Sequence, residues 1–119
     1  KLTFSGVTHL IQNAAAYVGT DTSTTHLAAA TGVLTFAIYG PSNIFKWSPW
    51  PKNHQQATPP FQDVVGVNRN ENVVVIRAIC RCDNFSRNCN FSTTSESLCI
   101  TELQPSVVVT ALREHLPGN

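Results

Sequence analysis

Apolar residues first recur at Val7, Leu10 and Ile11, three and four positions apart, the spacing of one helical face. This predicts a helix over residues 4–13, with Ser5 as its N-cap. The next stretch, "AAAYVG" (14–19), is short, apolar and ends in glycine, as a buried strand entering a turn would. From Ser23 to Thr31 the pattern is helical again. Leu27, Ala28, Ala29 and Ala30 are small or good helix formers, and Gly32 stands where a C-cap glycine belongs. "VLTFAIY" (33–39) is uncharged and rich in β-branched and aromatic residues, which predicts a strand buried on both faces. "GPSN" (40–43) then breaks it. Helix, strand, helix, strand in alternation predicts an α/β fold with a parallel sheet.

The second half is less regular. Residues 44–61 are proline-rich and contain both tryptophans, a loop anchored by aromatic packing rather than a flexible linker. "DVVGV" (63–67) and "VVVIRAI" (73–79) read as short strands. Residues 80–99 are polar, irregular and carry Cys80, Cys82, Cys89 and Cys99. "QPSVVVTALREHL" (104–116) reads as a closing helix capped by Ser106, with Val107, Ala111, Leu112 and Leu116 on its apolar face.

Composition narrows the class. A chain of 119 residues builds one compact domain. Only 13% of its residues are charged, well below the ~25% usual for soluble domains. Part of the surface is therefore expected to be covered by another domain or subunit. A net charge of +1 without any basic–aromatic cluster argues against nucleic acid. The longest apolar run, Val33 to Tyr39, is far short of the ~20 residues of a membrane helix. The first ten residues lack the apolar core of a signal peptide. The chain contains no methionine and begins "KLTF", which reads as a fragment of a longer protein.

The cysteines follow C-x-C-x6-C-x9-C, and sequons at Asn84 and Asn90 fall among them. In a secreted protein these are disulfides and glycans; in a cytosolic one the thiols are free or bind metal. The C-x-C pair is tighter than an ordinary zinc knuckle.

Between the first strand and the second helix lies "GTDTSTTH" (19–26), with five hydroxyl residues, one Asp and one His. Two readings of it stay open. Asp, Ser and Thr are preferred N-caps, so the run is a well-capped helix start. Alternatively, a helix N-terminus at the carboxyl end of a strand presents unpaired N–H groups and partial positive charge, a site for phosphate. Asp21 and His26 would then flank the same ligand, with Asp21 better suited to sugar hydroxyls than to a diphosphate.

The run from Ala14 to Trp50 resembles the signature region of the family nine glycosyltransferases, the lipopolysaccharide heptosyltransferase family. The residues that carry the likeness are Asp21, Thr22, His26, Leu27, Ala28, Ala29, Ala30, Gly32, Tyr39, Gly40, Pro41, Ser42, Trp47 and Pro49. The four cysteines and "VVVTALREHL" resemble the later part of the family more loosely. Two residues depart from the pattern. Ser23 stands where the family has glycine, and Leu34 where a proline is common.

The resemblance implies a Rossmann-like α/β fold of the GT-B type, with residues 1–119 forming the second half of its C-terminal, nucleotide-sugar-binding domain. It implies transfer of a heptose-like sugar from a nucleotide-diphosphate donor, an ADP-sugar, to a glycan or lipopolysaccharide-core acceptor. Donor contacts fall to Asp21, Thr22, Ser23, Thr24 and His26. The general base is expected in an N-terminal acceptor domain, so the fragment alone would be inactive. No cofactor, metal or nucleic acid is expected, and the location is cytoplasmic, peripheral to the inner membrane through the acceptor. A sugar-nucleotide epimerase, a non-catalytic sugar-binding domain and a secreted disulfide-bearing binding module are the competing readings.

Overall fold

The computed structural model describes residues 2–78, 100 and 103–117. Its elements are α1 (Phe4–Gln12), β1 (Tyr17–Thr20), α2 (Ser23–Thr31), β2 (Thr35–Tyr39), α3 (Ile44–Trp47), β3 (Gly66–Asn70), β4 (Val73–Arg77) and α4 (Pro105–His115). The cysteine-bearing segment 80–99, with its thiols and sequons, lies outside the described residues.

The four strands form one sheet in the order β1-β2-β4-β3. β1, β2 and β4 run parallel, in the registers Thr20↔Ile38 and Tyr39↔Arg77 at their carboxyl ends. β3 is antiparallel to β4 and closes one edge. The expected parallel α/β sheet is present, with an antiparallel strand added through the β3–β4 hairpin. That hairpin turns in two residues, Glu71 and Asn72, because Glu71 takes a left-handed φ of 54°.

Both faces of the sheet are covered. On one, Ala29 of α2 packs with Ala37, Tyr39, Val73 and Val75, closed over by Ile44 and Phe61. On the other, Ala111 of α4, flanked by Val108 and Leu112, packs with Phe36, Val74 and Ile76. Every residue of β4 is buried, as a central strand between two helical layers must be. α1 lies beside α2 and buries Ile11.

Several local expectations shift. Thr3, not Ser5, caps α1, with its hydroxyl accepting from the Gly6 amide at 3.0 Å. Ala14 to Ala16 precede β1 rather than belonging to it. Gln104 rather than Ser106 is the N-cap of α4, because Pro105 takes the first helical position, where a missing N–H costs nothing. Val108 rather than Val107 faces the sheet, and Val107 is exposed. Gly32 does cap α2, with φ at 92°.

The long loop is anchored differently from the expectation. Trp47 and Trp50 are 53% and 43% exposed, while Pro49 and Pro51 are buried. The prolines and the Tyr39 hydroxyl, which donates to Trp47 O at 2.8 Å, fix the loop. The Trp47 ring instead carries Lys46 Nζ 5.3 Å from its centroid.

Candidate functional site

The carboxyl ends of the three parallel strands converge. Asp21 follows β1, Tyr39 ends β2 and Arg77 ends β4. Each does a different job.

The β1–α2 junction is organised by Thr25, which is fully buried. Its hydroxyl donates to Thr20 O at 2.5 Å and lies 3.2 Å from Tyr17 Oη and 3.3 Å from Thr22 Oγ1. A hydroxyl has a single hydrogen. Because Thr25 gives it to Thr20 O, Tyr17 and Thr22 must donate to Thr25. The Thr22 hydroxyl is thus turned into the junction and does not cap α2. The amides of Thr25 and His26 bond to Thr22 O at 3.1 and 3.3 Å. Those of Ser23 and Thr24 have no acceptor among the described residues.

Gly19 belongs to the same arrangement. The Tyr17 ring folds across it to reach Thr25, and a Cβ at Gly19 would lie 2.5 Å from Tyr17 Oη. Any side chain there would push the tyrosine off the hydroxyl cluster.

Asp21 and His26 meet over this turn, with Oδ1 and Nε2 3.8 Å apart and side chains 30% and 45% exposed. At that separation the two are neighbours without a direct hydrogen bond. The five residues expected to contact a donor therefore lie together: Asp21, Thr22 as N-cap, Ser23 and Thr24 in the first turn, and His26 one turn on. Ser23 sits in ordinary helical backbone, since Glu71 is the one described non-glycine residue with positive φ. A glycine at this position is not required by backbone conformation.

Behind the junction a second polar network is built on the buried Arg77. The Arg77 guanidinium bonds Gly40 O at 3.2 Å, Ser42 O, and Asp63 Oδ1 at 2.6 Å. Asp63 Oδ1 also accepts from the Ile44 amide at 2.9 Å, which fastens the start of α3. Tyr39 titrates above the ordinary tyrosine range. Burial is the main cause and the negative charge of Asp21 adds to it, while Arg77 opposes both. The Tyr39 hydroxyl is therefore a fixed donor and not a proton shuttle at neutral pH.

Thr25, Tyr17, Arg77 and Asp63 escaped the sequence reading. Arg77 did leave a signal, as the lone charge in the apolar run "VVVIRAI". Thr25 left none, because one threonine in "TSTT" looks like the next. His54 and His115 are half-buried. His54 bonds Thr58 O at 2.7 Å, and His115 lies 3.2 Å from Arg69 Nη1 with its ring edge-on to Phe36.

Among the described residues no group of three or more His, Cys, Asp or Glu is placed to hold a metal ion. No helix among them is long and apolar enough to cross a membrane.

No curated protein and no solved structure matches the chain. Residues 1–73 match the sequence family described as Glycosyltransferase family 9 (heptosyltransferase). The match takes in the whole β1–α2–β2 unit and the Asp21–His26 turn. It stops at the first residue of β4, so the cysteine segment and α4 fall beyond it. With well over half of its length inside the match, the chain belongs to glycosyltransferase family 9.

Proposed function

We propose that these residues form part of the donor site of a glycosyltransferase that moves a heptose-like sugar from an ADP-sugar to a glycan or lipopolysaccharide-core acceptor. Family membership supports sugar transfer in general. The observation that carries the finer reading is the start of α2. Its Ser23 and Thr24 amides lack acceptors, beside an exposed Asp21 and His26, at the carboxyl end of a parallel strand.

The chemistry follows from charge. Inverting transfer needs a base on the acceptor hydroxyl. It passes through an oxocarbenium-like state, and a nucleoside diphosphate departs with growing negative charge. Amides pointing out of a helix start stabilise that charge without reorganising, since Thr25 already holds the turn. In this reading Ser23 and Thr24 supply N–H groups to the diphosphate, and the Thr22 N–H and Ser23 hydroxyl lie within the same turn. His26 adds a donor, positive when protonated. Asp21 accepts from sugar hydroxyls and keeps His26 oriented. None of these residues is assigned as the general base, which we place in an acceptor domain N-terminal to this one. Residues 1–119 are then the later half of a GT-B C-terminal domain, working in the cytoplasm at the inner membrane.

Asp21→Ala in the full-length enzyme tests the assignment. The exposed carboxylate bears little on folding, so unfolding free energy should change by under ~0.5 kcal/mol. kcat/KM for the donor should fall at least ~10-fold, about 1.4 kcal/mol of transition-state binding. Donor affinity and turnover at wild-type level would overturn the role given to Asp21.

A further inference from the structure

A second polar concavity lies at the opposite end of the sheet. It has a volume of about 540 Å³ and is lined by Asn53, His54, Gln55, Gln56, Asn70 and Glu71. Glu71 sits in the β3–β4 turn, which precedes the amino end of β4, whereas Asp21 and His26 lie beyond the carboxyl end of β1. The two sites share no residue. The volume falls within the ~300–1,000 Å³ typical of small-molecule sites.

We infer that this concavity binds a neutral, hydroxyl-rich ligand, a saccharide unit, separate from the donor site. Four of the six lining side chains are carboxamides, each offering N–H donors and a carbonyl acceptor on one planar group. Neighbouring ring hydroxyls, each both donor and acceptor, are matched by such groups. The lining holds no Lys or Arg, so it offers no permanent positive charge to a phosphate or a carboxylate. Its single carboxylate, Glu71, repels anions but accepts readily from hydroxyls. One carboxylate is also too few for a divalent cation, which gathers several oxygen ligands.

The walls are held in place by bonds that leave ligand-facing chemistry over. His54 is fixed by its bond to Thr58 O at 2.7 Å and braced edge-on by Trp50 at a centroid distance of 4.9 Å, which gives the pocket a rigid ring. Asn70 Nδ2 donates to Pro60 O at 3.0 Å, leaving its carbonyl oxygen without a partner among the described residues. Glu71 is held at its left-handed φ of 54° by Arg69 Nε, which donates to the Glu71 carbonyl at 2.9 Å.

The test is a titration of the ¹⁵N-labelled protein with glucose, galactose and lactose, following side-chain amide signals, with inorganic phosphate as the anionic probe. Saturable shifts at Asn53, Gln55, Gln56 and Asn70 with at least one sugar, and none with phosphate, are expected. Gln55→Ala and Gln56→Ala, both at exposed positions, should each weaken that binding by about 5-fold, the worth of one hydrogen bond. Asp21→Ala should leave it unchanged, so that this site and the donor site stand or fall separately. The inference is overturned if no sugar gives saturable shifts at these amides up to ~50 mM, well above the millimolar dissociation constants of weak sites. It is equally overturned if phosphate gives the same shifts, if neither glutamine substitution weakens binding, or if Asp21→Ala abolishes it.

Discussion

At the carboxyl ends of β1, β2 and β4 the polar groups are mainly hydroxyls and charges; around the amino ends of β2 and β4 carboxamides predominate, beside His54 and Glu71. The carboxyl end spends its side-chain hydrogen bonds inward. Thr25 gathers Thr20, Thr22 and Tyr17, and Arg77 gathers Gly40, Ser42 and Asp63. What is left facing out is backbone N–H and the Asp21–His26 pair. At the amino end the carboxamide of Asn72 is turned inward. Asn72 Nδ2 donates to Ala29 O and Val33 O at 3.0 Å each, and its Oδ1 accepts from the Lys52 amide at 3.1 Å. Of the other carboxamides there, Asn53, Gln55 and Gln56 are exposed and Asn70 is half-buried. A buried, satisfied network can hold an outward-facing site rigid at either end. The chemistry that remains exposed differs, and with it the ligand each end suits.

Substitutions can break this contrast. The largest effect is expected for Arg77→Met, which removes the guanidinium from the Asp63 carboxylate and two carbonyls. Removing one partner of such a buried pair should cost about 3 kcal/mol or more in denaturant unfolding. A loss under ~1 kcal/mol would mean that water reaches this end of the sheet as freely as a surface site. Thr25→Val keeps shape and removes the hydroxyl that three groups use. It should cost about 2 kcal/mol and also weaken donor binding in the full-length enzyme, while Thr25→Ser restores most of both. If Thr25→Val lowers stability and leaves donor affinity intact, the junction supports the fold and not the site.

At the other end, Asn72→Ala should cost about 1–2 kcal/mol by leaving the Ala29 and Val33 carbonyls without their donor. Donor binding should not change, since the Asp21 turn lies across the sheet. The smallest effect at neutral pH belongs to Tyr39. Its folded form holds the proton to higher pH than a free tyrosine, whose pKa is about 10. Its stabilising contribution is therefore complete below pH ~10 and lost as pH rises above that value. In pH-dependent unfolding, Tyr39→Phe should flatten the decline above pH ~10. A decline unchanged in the variant would assign it to other groups.

Periodicity made much of the fold legible. α2 spans the predicted residues from Ser23 to Thr31, and Gly32 caps it in the predicted left-handed conformation. The alternation of helix and strand foretold the parallel β1–β2 pair. Errors gathered where neighbours rather than pattern decide. Val107 and Val108 are both apolar, and the packing of α4 on Phe36 and Val74 chose the second. Trp47 and Trp50 suggested an aromatic anchor for the loop, yet Pro49 and Pro51 are the buried residues, with no amide N–H to satisfy.

The sequence by itself determined the family, the parallel α/β order and the run Asp21 to His26. These are local matters: residue type, spacing, and the caps a helix requires. Only the tertiary structure decided which threonine of "TSTT" is buried as a hub and which amides stay open. It also decided that Arg77 and Asp63, 14 residues apart in the chain, close one network. It alone brought the Asn53–Gln56 loop against the Asn70–Glu71 turn to make a pocket. Hydrogen-bond direction and burial depend on what lies across space, and one-dimensional spacing carries no record of that.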